Sequence, residues 1–162
     1  MLCPCGSERA YSLCCQAIIL AKKSASSPEQ LMRSRYSAYA TEQFEYIFLT
    51  YASASQVEQS IEDIAQWSKQ THWLKLIIHQ VSDYQKDLAS HNSAQVEFSA
   101  FYRHQGQIWQ MREKSHFIIE QGLWRYLDGA VSDNQVVQKP KRNDHCFCGS
   151  EKKFKHCCAK SL

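Results

Sequence analysis

The residues best equipped for chemistry are eight cysteines in two quartets, Cys3, Cys5, Cys14 and Cys15 near one end and Cys146, Cys148, Cys157 and Cys158 near the other. Both quartets have the spacing C-x-C-x8-C-C. The segments CPCGSERAYSLCC and CFCGSEKKFKHCC also match at Gly6/Gly149, Ser7/Ser150 and Glu8/Glu151. Two thiolates at i and i+2 around a Gly-Ser turn can point at one ion. The residues between the pairs have room for a short helical turn that brings the vicinal cysteines back. Four sulfurs then close a tetrahedral site with no open position, the structural type of zinc site. So short a unit cannot bury enough apolar surface to offset an ordering cost of about 1–2 kcal/mol per residue. Zinc binding, worth about 10–16 kcal/mol in finger peptides, supplies the difference. Two structural Zn2+ ions are the expected cofactors, with all eight cysteines as ligands.

Other chemistries of the same residues fit less well. An even cysteine count permits a disulfide framework, but Cys3 leaves no room ahead of it for an export signal. The expectation is a cytoplasmic protein in a reducing compartment, where disulfides are rare. Four protein sulfurs leave no position for water, which argues against catalytic zinc. The C-x-C and C-C pairs differ from the common ferredoxin spacings. His145 and His156 flank the second quartet and each could replace a sulfur, although the quartet is complete without them.

The elements between the quartets must position them. Lys22 to Ser27 reads as a linker, and Ser27-Pro28-Glu29-Gln30 as a helix start with an N-cap, a proline at the first position and a capping-box glutamine. Leu31, Arg35 and Tyr39, with Met32 and Tyr36, follow at helical spacing. A second helix is expected from Thr41, carrying Phe44, Ile47, Phe48 and Tyr51. A third is expected over 56–70, with Val57, Ile61, Ile64, Ala65 and Trp67 as its stripe. From Trp73 the pattern becomes strand-like: Trp73 to Ile78, then alternation at Val96, Phe98, Ala100 and Tyr102. Gly106 and Gly122 turn successive strands, and Asp128-Gly129 ends the last one. Helices followed by antiparallel strands predict an α+β domain over 28–131, between modules at 1–22 and 140–162.

Hydrophobic residues make up 44% and charged residues 22% of the 162, a balance suited to a folded core rather than a disordered chain. The longest aliphatic run, Ala17 to Ala21, is far short of a membrane span. The formal charge is +3, with seven Lys/Arg against two acids in 139–162. Each zinc tetrathiolate carries −2, so filling two sites brings the net charge to about −1. Lys152, Lys153 and Lys155 offset local thiolate charge and are the best candidates for a partner-binding face. Lys139, Lys141 and Arg142 extend it, and weak contact with nucleic acid is conceivable. Arg33, Arg35, Tyr36, Tyr39, His79, Glu113, Ser115 and Asp128 are candidate polar groups of a pocket in the aromatic-rich centre. No nucleophile, base and orienting group assemble from spacing, so no catalytic residue is assigned.

The segment CFCGSEKKFKHCC resembles the SEC-C motif, the zinc module at the C-terminus of the SecA translocase motor. The whole chain resembles the YchJ family of small bacterial proteins, on PEQLMRSRYSAY, THWLKL, GLWRYLDG and RNDHCFCGSEKKFKHCC. That resemblance implies a central domain similar to the nuclear transport factor 2-like, cystatin-like cone, with three helices on a curved antiparallel sheet. It also implies that Cys146, Cys148, Cys157 and Cys158 are metal ligands, and that the module docks a SecB-like chaperone or the ribosome through its basic face. Three departures stand out. Glu151 occupies a position where glycine is usual, Phe147 replaces the usual proline, and Ala10 and Ser12 stand in the first module where the second has lysines.

Two functions of different kinds are therefore expected. One is a protein-interaction adaptor acting through its zinc modules. The other is a small-molecule enzyme or carrier using the central pocket.

Overall fold

The computed structural model describes residues 1–82 and 93–162. Its centre is a four-stranded antiparallel sheet in the order β1 (Thr71–Val81), β2 (Ser93–His104), β3 (Gln107–Glu120) and β4 (Leu123–Val137). Two-residue turns join β2 to β3 and β3 to β4. Gln105-Gly106 and Gln121-Gly122 have φ of 49° and 78°, and 51° and 77°. Positive φ at both central residues matches the twist of the flanking strands, which is why glycine closes each turn.

Five short helices precede the sheet: α1 (Cys15–Ile19), α2 (Pro28–Ala40), α3 (Phe44–Leu49), α4 (Ser53–Gln56) and α5 (Ile61–Lys69). The expected start of α2 holds, with Ser27 Oγ accepting from the Gln30 N–H. The Gln30 side chain accepts from the Ser26 N–H, one residue ahead of the cap. From α2, Leu31, Met32 and Tyr36 pack on Val96, Phe98 and Ala100 of β2 and on Phe117 of β3.

Helix boundaries depart from the periodicity in two places. Thr41 ends α2 rather than starting a helix. Its hydroxyl donates to the Ser37 carbonyl, and Glu42 behind it is left-handed at φ 57°. The stretch 56–70 is not one helix either. Ser60 accepts from the Asp63 N–H and caps a fresh start at Ile61. Val57 falls in the gap and is 82% exposed.

Nor does the last strand end at Asp128-Gly129; β4 runs on to Val137. Gly129 is a point of close approach, because a Cβ there would overlap the Glu113 carboxylate and the Tyr126 hydroxyl. Among the described residues no helix is long and apolar enough to cross a membrane.

Candidate metal centres

The sequence repeat is also a backbone repeat. Cys3 N–H donates to the Arg9 carbonyl at 2.8 Å, and Cys146 N–H to the Lys152 carbonyl at 2.9 Å. Gly6 and Gly149 have φ of 77° and 72°, and Glu8 and Glu151 φ of 60° and 59°. The two glycines permit the left-handed turn that returns the chain under the first cysteine pair. A 3₁₀ turn, at Tyr11–Leu13 in one module and Phe154–His156 in the other, then lifts the vicinal pair into place.

In each module the four sulfurs lie within 4.8 Å of one another, and each set could hold a metal ion. Cys5 Sγ is 3.8 Å from Cys14 Sγ, which is 3.9 Å from Cys15 Sγ. Cys148 Sγ is 3.5 Å from Cys157 Sγ, itself 3.9 Å from Cys158 Sγ. All eight cysteines are free of disulfides, and six are buried. His145 is spoken for by the Glu151 carbonyl at 3.3 Å, and neither it nor His156 joins the second tetrad.

Crowding sets the protonation pattern. The bond shared with Cys15 holds Cys5 down at about 4, and that bond with burial drives Cys15 up. Burial opposes ionisation of Cys157, but hydrogen bonds from Ser150 and the neighbouring sulfurs outweigh it and bring the thiol to about 7. Cys158 is driven up by burial and by Cys146. Sulfurs this close cannot all become thiolates unless a cation sits among them.

Side chains outside the quartets complete the sites. Ser7 Oγ lies 3.3 Å from Cys14 Sγ and Ser150 Oγ 3.2 Å from Cys157 Sγ, a role signalled by their recurrence in the repeat. Ser37 Oγ of α2 is 3.6 Å from Cys3 Sγ. Arg33 does not line the central cavity as expected. It pairs with Glu29 at 2.8 Å and donates to the Cys5 carbonyl at 2.9 Å. The i, i+4 spacing of Arg33 and Ser37 was the available sign that they share a face.

Each module is docked on the central domain. The first packs Cys3, Cys5, Cys15 and Ile19 against Ala38, Ile47 and Ile64. The second packs Cys146, Cys148, Phe154 and Cys158 against Leu74, Phe101 and Ile108. Phe147 lies 5.3 Å from the Phe101 ring and 5.9 Å from Phe154, which gives the proline-to-phenylalanine departure a packing role. Lys152 and Lys153 are exposed and Lys155 half-buried.

Of the remaining pocket candidates, Arg35, Tyr36, Tyr39 and Glu113 line one cavity of ≈ 290 Å³. Ser115 supports Glu113 from behind with a 2.6 Å hydrogen bond. Asp128 lies elsewhere, exposed and paired with His116, because the bulge in β4 turns it away from Glu113. His79 bonds Ser99 at 2.8 Å outside the cavity.

Comparison with known proteins agrees with this architecture. Residues 27–129 match the model for the YchJ middle NTF2-like domain, and residues 2–17 and 142–160 match the SEC-C motif. A UPF0225 protein of Shewanella sp. (strain MR-4) is 42% identical over 163 residues, covering 98% of this chain and 96% of that one. A UPF0225 protein of Vibrio vulnificus (strain YJ016) is 38% identical over 167 residues, covering 96% and 97%. Two solved structures of SEC-C motif containing proteins are similar. The one from Rhodopseudomonas palustris has a TM-score of 0.72 at 33% identity, covering 82% of this chain and all of that one. The one from Psychrobacter arcticus has a TM-score of 0.68 at 29% identity, covering 100% and 97%.

Proposed function

The chain belongs to the YchJ, or UPF0225, family, with a SEC-C motif at each end, and on that footing we propose that it is a zinc-organised adaptor for a protein partner. One zinc ion sits in each cysteine tetrad. Zinc–thiolate bonds of about 2.3 Å imply a tetrahedron with sulfur–sulfur edges of about 3.8 Å. The separations of 3.8, 3.9, 3.5 and 3.9 Å support that assignment. Four sulfurs leave no open position, so the metal holds structure and does not activate water.

The observation that carries the adaptor reading is the polarity of the second module. Its apolar side is committed to Phe101, Leu74 and Ile108, while Lys152 and Lys153 remain exposed. Such a face suits an acidic protein surface, and by likeness to the translocase module the partner is a SecB-like chaperone or the ribosome. The working compartment is the reducing cytoplasm, where the thiols remain available to metal. The proposed division is 1–22, 28–131 and 140–162, with the end of β4, to Val137, going with the central domain.

Elemental analysis of the purified chain is expected to find two zinc ions per molecule, one per tetrad. Affinity capture then compares the wild type with the Lys152→Glu/Lys153→Glu variant at equal zinc content. Loss of the captured partner supports the adaptor reading; an unchanged set removes it.

A further inference from the structure

Arg35 and Glu113 are the two buried charged side chains among the described residues, at 4% and 8% exposure. Both line the ≈ 290 Å³ cavity between α2, α5 and the sheet, yet no ion pair joins them. Arg35 is held from behind. Its Nη1 donates to the Ile47 carbonyl at 2.8 Å and to Thr50 Oγ1 at 2.6 Å. The Tyr51 and Tyr126 rings lie 4.4 and 4.7 Å from its guanidinium carbon. Glu113 Oε1 accepts from Ser115 at 2.6 Å and from Tyr126 at 3.0 Å, and no described residue bonds Oε2. Trp73 lines the same cavity and the ≈ 620 Å³ cleft beside it; its indole N–H is shut off from both and has no partner. Trp109 has an equally unpartnered indole N–H but does not line this space.

Buried polar groups are normally satisfied, and buried charges are normally paired. Here the unbonded N–H groups of Arg35 and the Oε2 of Glu113 belong to one aromatic-walled space. Two larger clefts, of ≈ 760 and ≈ 620 Å³, have no buried charged side chain in their walls. We propose that the ≈ 290 Å³ cavity is a binding site for a small neutral heterocyclic lactam, a planar one- or two-ring molecule with a carbonyl next to a ring N–H. The carbonyl accepts from the Arg35 guanidinium, and the ring N–H donates to Glu113 Oε2. The faces of the ring lie against the aromatic wall. There Trp67, 39% exposed, meets Trp73 at 5.3 Å and Tyr39 at 5.6 Å between ring centroids and forms the rim. Arg35 and Glu113 already balance in charge, so a charged ligand would be left uncompensated in a low-dielectric site. The volume lies at the small end of ligand pockets, which run about 300–1,000 Å³. This inference is independent of the adaptor reading, whose tests are metal content and partner capture.

The test uses the full-length, zinc-loaded chain and its four tryptophan indole signals in a proton–nitrogen correlation spectrum, with Trp73→Phe identifying the Trp73 signal. The probes are uracil, hypoxanthine, the ring-N-methylated dimethyluracil and toluene, each at millimolar concentration. One of the two lactams is expected to shift the Trp73 indole saturably. Dimethyluracil and toluene should bind at least about tenfold more weakly, since each leaves a buried polar group unmet. Ala100→Leu, which fills the cavity without touching its polar groups, should abolish the shift. If that variant does not fold, Met111→Phe fills the same space. The proposal is overturned if neither lactam moves the Trp73 signal, if dimethyluracil or toluene binds as tightly, or if the filled variant still binds.

Discussion

Substituting Gly129 by alanine tests the packing behind the cavity through the sign of the effect. Gly129 has no positive φ, so alanine can adopt its backbone. Inside a strand, replacing glycine by alanine ordinarily gains about 0.5–1 kcal/mol. Here the new methyl group would collide with the Glu113 carboxylate and the Tyr126 hydroxyl, the two groups joined by the 3.0 Å hydrogen bond. Glu113 is buried and cannot swing into water, so the collision is relieved by breaking its hydrogen bonds. Bonds to a charged group are worth about 1.5–3 kcal/mol each. Losing one and distorting the other, less the alanine gain, leaves a net loss of about 2–3 kcal/mol. For a chain of this size that corresponds to a fall in Tm of roughly 4–12 °C. The assay is thermal or urea unfolding followed by circular dichroism in zinc-replete buffer. Most of the cost of Gly129→Ala should disappear when Glu113→Ala is already present, since Tyr126 then has no Glu113 bond to hold its hydroxyl in place, a coupling of about 2 kcal/mol. A Gly129→Ala protein as stable as wild type, or a penalty undiminished without the Glu113 side chain, refutes the reasoning.

A strong chelator is expected to release both ions and raise amide exchange across residues 1–17 and 142–160, while the β2–β3 ladder stays protected; simultaneous loss of both would mean that the sheet cannot stand without the modules. Phe147→Ala removes the ring that bridges Phe101 and Phe154, and should cost about 2–4 kcal/mol and make the segment 138–144 sensitive to protease while leaving zinc content at two per chain. Burial raises the Tyr36 hydroxyl above its ordinary value of 10.0, and burial plus the Glu113 charge raises Tyr126. Because the folded state resists losing these protons, their contribution to stability is constant below about pH 10 and falls above it. In an ultraviolet titration they should remain silent until the protein unfolds, and reversible ionisation of all eight tyrosines in the native state would contradict the burial argument.

What could be read from the sequence was whatever depends on neighbours along the chain. The cysteine tetrads are local, since each is closed by a turn and a helical step within thirteen residues. The Gln105-Gly106 and Gln121-Gly122 turns and the Ser27 cap are local as well. Gly129 was misread because its reason for being glycine lies across the sheet, at Glu113, and a glycine beside an aspartate resembles a turn in sequence. The stretch 56–70 kept helical periodicity across a real break, because Ser60 could restart the helix in phase with Ile64 inward. Arg33 and Arg35 are both expected at the pocket, but positions two apart on a helix differ by about 200°, and the first faces the N-terminal cysteine module while the second faces the cavity.

That division of α2 explains why the modules are docked and not tethered. Arg33 and Ser37 present one face to the first tetrad, through the Cys5 carbonyl and the Cys3 sulfur. Met32, Arg35, Tyr36 and Tyr39, spaced i, i+3, i+4 and i+7, present another face to the cavity. The second module does the same for β2. Phe98 and Ala100 face the cavity, and Phe101, pointing to the other side of the strand, is covered by Phe147 and Phe154. Each cysteine module thus braces, from outside, one of the elements that wall the cavity. Without the braces, Phe101 and Leu74 would form an exposed apolar patch on the back of the sheet, and α2 would rest on its cavity-facing side alone. A domain with two buried charges at its centre that no ion pair joins needs rigid walls to keep them in register, and modules closed on an ion would supply rigidity at a length where apolar burial cannot.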